Sequence, residues 1–211
     1  MTEKSNLTAS ERILRFWFAD VPNSAKALEN RSEFWFGEGA LADVDRQIER
    51  EFRAEIERAA ARKLESWEAA PRARLALILL LDQFPRNVFR GTPRAFATDA
   101  MALDLALEGM RLHADAELIP LERLFFYMPL QHAENRDAQE RAVAACSTLA
   151  LDAPQFMRSF FDVCTRSAEQ HRDIIRRFGR FPHRNAILGR ENTPPERDYL
   201  QANRHDFGQK P

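Results

Sequence analysis

The stretch Leu75-Ala76-Leu77-Ile78-Leu79-Leu80-Leu81 has no polar face. A segment that is apolar all round must be covered by the rest of the chain on every side. Pro71 suits the first position of a helix, where its missing N–H would be unpaired anyway. Pro85 follows the run and pushes Phe84 away from α geometry. The spacing therefore predicts a central buried helix that opens at Pro71 and closes against Pro85. The run is far too short to span a bilayer.

The other segments read as helices to cover it. Thr8-Ala9-Ser10-Glu11 matches a capping box that starts a first helix. A second element over about Ser24–Phe36 ends at Gly37. The triplets Phe16-Trp17-Phe18 and Phe34-Trp35-Phe36 read as core aromatics, not as a ligand cage. Leu41, Val44, Ile48, Phe52 and Ile56 form one apolar stripe on a long helix reaching about Trp67. Its outer face carries Asp43→Arg46, Glu49→Arg53 and Glu55→Arg58 at helix-pair spacing. Thr98 can cap a helix to about Leu112, and Pro120 opens one that Met128-Pro129 breaks. Asn135 caps a helix to Ala150, and Pro154 opens a long one ending at Phe178 with Gly179 beyond it. Thr193-Pro194 starts a short last helix. Strand-like alternation bounded by hairpin turns is lacking. The expected class is all-α, built of antiparallel helical hairpins. One domain over 1–211 is expected, with frayed ends at about 1–6 and 202–211.

Composition narrows the function classes. The chain has 211 residues, 45% of them hydrophobic, enough for a proper core. A net charge of −1 gives no global field toward nucleic acid or an anionic membrane, so neither partner is expected. Met1–Ser10 has no apolar signal core, which points to a cytoplasmic location. Cys146 and Cys164 fall on separate expected helices and read as reduced core thiols.

The candidate site comes from clustering. Arg176–Arg190 carries five arginines and one histidine, with no acid from Ile174 to Arg190. Phe181-Pro182-His183-Arg184-Asn185 is echoed by Phe84-Pro85-Arg86-Asn87, with Arg90 following. Both corners are expected to converge as halves of one polar site. Arginine offers a planar fork of donors suited to carboxylate and phosphate. Arg86, Arg90, Arg177, Arg180 and Arg184 would form an anion pocket, with Gln83, Asn87 and Asn185 adding neutral hydrogen bonds. Alternatively Asp82, Asp99 and Glu134 balance these arginines as buried salt bridges that staple the helices.

The stretches Trp35-Phe36-Gly37, Leu79–Asn87, Phe96-Ala97-Thr98-Asp99 and Arg177–Asn185 resemble the signatures of the bacterial domain-of-unknown-function 924 family. The resemblance spans nearly the whole chain. It implies an all-α fold with a tetratricopeptide-like, right-handed array of hairpins, and it leaves the activity open. Where relatives read Pro-Leu-Met-His-Ser-Glu, this chain has Pro129-Leu130-Gln131-His132-Ala133-Glu134, so only His132 and Glu134 carry over from that motif.

His132, His171 and His183 are the histidines near this group. With Glu134 they lack any recognised metal spacing, and no metal or cofactor is expected. His132 or His183 could serve as an acid–base group, with Glu134 as a further candidate. A nucleophile elbow and a Gly-rich phosphate loop are both missing. The reading that follows is a helical binding module for an anionic small molecule or peptide carboxylate. The alternative is a hydrolase or transferase that acts on an anionic substrate through a histidine.

Overall fold

A computed structural model describes residues 7–19, 24–37 and 41–203. Among these the chain is all helix and turn, without strands. The expected frayed ends at about 1–6 and 202–211 lie outside the described residues, except that Ala202 still ends the last helix and Asn203 follows it; the side chain of Leu41, at the head of the long stripe, also lies outside.

The helices are α1 (Ala9–Phe18), α2 (Ala25–Phe36), α3 (Leu41–Ala60), α4 (Pro71–Leu81), α5 (Gln83–Val88), α6 (Asp99–Arg111), α7 (Pro120–His132), α8 (Arg136–Asp152), α9 (Arg158–Phe178) and α10 (Pro194–Ala202). Helix α4 is the hub, packed against α1, α3, α6 and α7. Leu75, Ala76, Ile78, Leu79 and Leu80 are each 0% exposed, as a run without a polar face requires. Helices α7, α8 and α9 pack each on the next. The short joint Ala133–Asn135 turns the chain back, and Asn135 Oδ1 caps α8 by accepting from the Ala138 N–H at 2.9 Å. Thr8 and Glu11 close the capping box on α1.

The aromatic triplets pack into or against the core except for Phe36, which is 48% exposed. Trp17, Phe18 and Trp35 are buried, and their rings meet Phe84 and Phe125 edge-on or tilted at centroid distances of 4.8 to 5.5 Å. Trp35 Nε1 and Arg31 Nε each donate to the Trp17 carbonyl at 2.8 Å, so the end of α1 is tied to α2 by one of the expected core aromatics and by an arginine that sequence spacing did not single out. Arg31 also lies over the Phe34 ring at 3.7 Å.

Several helix boundaries differ from expectation, for identifiable reasons. Helix α3 stops at Ala60, not near Trp67. Arg62 takes a positive φ of 56°, reversing the chain so that Leu64 tucks into the core. Helix α4 ends at Leu81, before Pro85, but Pro85 does not end helical structure. It sits in the first turn of α5, where its missing N–H needs no partner. Pro129 does not break α7, which continues to His132 with Leu124, Phe125, Phe126 and Leu130 fully buried around the proline. Thr98 precedes α6 without capping it; its hydroxyl donates instead to the Leu81 carbonyl at 2.6 Å, satisfying the end of α4. On α3 the Asp43–Arg46 and Glu49–Arg53 pairs form, whereas Glu55 pairs with Arg12.

Candidate functional site

Helix ends build the site. Asp82 is the residue between α4 and α5, Arg86 lies one turn on, Asp99 opens α6, and His132 closes α7. Gly179, with φ at 73°, ends α9 and turns the chain into Phe181–Asn185, which brings Arg184 to the same place.

At the centre is Asp82, fully buried. His132 Nδ1 lies 2.8 and 2.9 Å from its two oxygens, and Gln83 Nε2 donates at 2.5 Å. Arg86 approaches one Asp82 oxygen at 3.3 Å. Burial alone would raise the Asp82 pKa, but Arg86 and His132 together hold the carboxyl well below its usual range. An ionised carboxylate only accepts, so His132 Nδ1 must carry the proton and donate. Burial and Arg86 lower the His132 pKa against the pull of Asp82, so its ring is neutral at pH 7.

Arg86 also makes a bidentate pair with Asp99, 2.8 Å at each oxygen. Asp99 then meets a second guanidinium, Arg184, whose Nη1 reaches Oδ2 at 3.3 Å. The two Phe-Pro corners thus meet on one carboxylate. Arg184 is 6% exposed and lies between the rings of Phe96 and Phe181, at 4.7 and 4.5 Å. Its buried Nε has no hydrogen-bond partner among the described residues. Burial, with Arg86 nearby, lowers its pKa to about 10, still charged at neutral pH.

The remaining candidates divide. His171 donates Nδ1–H to the Ser167 carbonyl at 2.7 Å, and its ring lies 6.4 Å from that of His132 and 5.6 Å from Phe181. The His183 ring also meets Phe181, tilted at 5.4 Å. Burial depresses both histidines to about 3, with Arg184 contributing. Glu134 accepts from the Phe181 N–H at 2.8 Å and from Arg190 at 2.7 and 2.9 Å. Asn185 is buried and donates to Asn192 at 2.7 Å, while its Oδ1 has no partner among the described residues. Other arginines are engaged away from this centre. Arg90 pairs bidentately with Asp45 at 3.0 Å, and Asn87 donates to the same carboxylate at 2.7 Å. Arg180 pairs with Glu196 of α10 at 2.7 and 2.8 Å, and Arg177 lies over Phe178 and Tyr199. Of the expected staple acids, Asp82 and Asp99 pair with Arg86, Asp99 also with Arg184, and Glu134 with Arg190, whereas Arg90 and Arg180 pair with Asp45 and Glu196, which were not expected.

A cleft of about 430 Å³ opens beside this network, lined by Asp99, His132, Glu134, Asn135 and Arg184 together with Phe96, Leu103 and Leu188. Asp99, Phe96 and Leu188 were not among the expected ligand contacts. The Phe96-Ala97-Thr98-Asp99 stretch held the first two, Asp99 was also expected as a staple acid, and Leu188 falls within the arginine-rich run. Among the described residues no three His, Cys, Asp or Glu side chains are placed to hold a metal ion, and no helix is long and apolar enough to cross a membrane.

The model of a family described as "Bacterial protein of unknown function (DUF924)" matches residues 13–204. The chain belongs to this family. The DUF924 match takes in every residue of the site just described. A solved structure of a protein of unknown function from Agrobacterium tumefaciens is similar to this family member at 40% identity, with a TM-score of 0.73, covering 92% of this chain and 97% of that one. No curated protein matches the chain.

Proposed function

We propose that the chain is a helical binding module whose cleft holds an anionic small molecule or peptide carboxylate on Arg184. One observation carries this reading. Among the described residues, Arg184 is a buried guanidinium whose one carboxylate partner, Asp99, is already held at both oxygens by Arg86. Net charge does not mark the cleft, because Arg86, Arg184 and Arg190 face Asp82, Asp99 and Glu134. Pairing does. Asp82 and Glu134 spend their oxygens elsewhere, so Arg184 is the cation with capacity to spare. The test is calorimetry with acetate, phosphate and sulfate at matched ionic strength. Wild type should bind at least one of them, and Arg184→Met should not. Wild type indifferent to all three would remove the reading.

A second reading rests on the Asp82–His132 pair. A neutral imidazole, fixed by a buried carboxylate at Nδ1 and lining a cleft, has the arrangement of a general base. A hydrolase or transferase built this way should lose turnover but keep ligand affinity in His132→Gln. In a pure binding module no turnover exists to lose.

A further inference from the structure

We infer that the ligand of this cleft is an amphipathic monocarboxylate, with its acid group on Arg184 and an apolar body along α6. The inference rests on the binding reading above and names its ligand class. One guanidinium has capacity to spare, which suits one negative charge. A second charge on the ligand would meet Asp99 and Glu134, whose carboxylates line the same cleft. Dicarboxylates and phosphate dianions are therefore poor fits, since like charges close together in a partly desolvated cleft repel. The free edge of a guanidinium is a planar fork, and a carboxylate matches it with two oxygens.

Beyond the acid group the walls turn apolar. Pro93, Phe96, Ala97, Ala100, Leu103 and Leu188 make up the rest of that lining. Ala100 and Leu103 are three apart on α6, so both present to the same side of that helix. Leu103 and Leu188 are only half-buried, leaving apolar surface for a ligand to cover. The volume of about 430 Å³ lies within the range of about 300–1,000 Å³ usual for small-molecule pockets. Arg184 itself is held by Phe96, so the ring that stacks on the guanidinium also begins the apolar wall.

The experiment is a calorimetric series of acetate, butyrate and hexanoate, with succinate and inorganic phosphate alongside, on wild type, Arg184→Met and Leu103→Asp. Affinity should rise by up to about fourfold per methylene, the factor for burying one CH₂. Succinate should bind more weakly than butyrate. Leu103→Asp should flatten the chain-length series while keeping acetate affinity within a few-fold, because Leu103 borders the apolar body and not the acid group. Arg184→Met should lose the whole series. If acetate or phosphate binds through Arg184 but lengthening the chain adds nothing, the amphipathic ligand is overturned and the anion site stands. If no anion binds wild type, both fall.

Discussion

Two arginines share Asp99, and replacing each by methionine should have opposite consequences. Arg86→Met removes the partner of two carboxylates at once. Asp99 loses its bidentate contacts at 2.8 Å, and fully buried Asp82 loses the cation that most lowers its pKa. Stranding a buried carboxylate costs about 3–5 kcal/mol. Arg184→Met removes a charge whose own burial is poorly offset. Its pKa falls from 12.5 to about 10, so the folded state bears roughly 3 kcal/mol of unfavourable charge energy there, at about 1.4 kcal/mol per pH unit. Methionine keeps an unbranched apolar stem between Phe96 and Phe181, and Arg86 still holds Asp99. The expected change is within about 1 kcal/mol of wild type, or a gain, as for other buried charges replaced by apolar residues. Urea unfolding with both variants at pH 7.5 reads the difference from midpoints at unchanged slope. A residue that costs stability when native and is kept for its ligand has this signature. Equal losses of several kcal/mol in both variants would refute the reasoning and make Arg184 a staple like Arg86.

Three further outcomes follow from packing and burial. Leu79→Ala should cost about 2–5 kcal/mol, measured by denaturant unfolding, because the side chain is 0% exposed in the hub helix. Gly109→Ala should cost about 1–3 kcal/mol by overpacking, since a Cβ there would come within 2.4 Å of Phe126 Cζ and 2.9 Å of Arg74 Cδ, and a neutral result would mean α6 can shift away from α7. Stability should fall as pH drops from 6.5 toward 3: the unfolded chain protonates His171 and His183 near 6.5, while the folded chain keeps both neutral to about 3, so each contributes a loss of up to about 1.4 kcal/mol per pH unit. Urea midpoints at pH 7.5, 6 and 5 check that slope, His171→Phe should make it shallower, and a flat profile would contradict the buried neutral rings.

The all-α class and the hub helix could be read from sequence because each depends on a local pattern. An apolar run without a polar face can only be buried, and Thr8 or Asn135 caps its helix within four residues of itself. Prolines were less informative. Pro85 and Pro129 both look like breaks in one dimension, yet one sits in a first turn and the other deep in packed aromatics. Position within the turn and tertiary packing decide the outcome, and neither is local. The consequence reaches the site, since α7 running through Pro129 delivers His132 to Asp82.

Charge pairing is the part that sequence spacing could not supply. Arg176–Arg190 is free of acids along the chain up to its end, yet its members meet acids in space at 16, 56 and 85 residues' separation, namely Arg180 with Glu196, Arg190 with Glu134 and Arg184 with Asp99. Arg90 likewise finds Asp45 at a separation of 45. A basic run therefore says little about local potential, because carboxylates arrive from other helices. What separates a staple from a binding group is the number of carboxylate oxygens left per guanidinium. Arg90, Arg180 and Arg190 each engage both oxygens of a carboxylate that no other guanidinium of the described residues shares. Arg184 shares one oxygen of a carboxylate already claimed at both, and has two aromatic faces in place of a second acid. Aromatic faces attract a cation by about 0.5–2 kcal/mol, less than a buried guanidinium loses by leaving water. The shortfall remains at one side chain on the wall of one cleft, which is why the proposed reading puts an entering acid there.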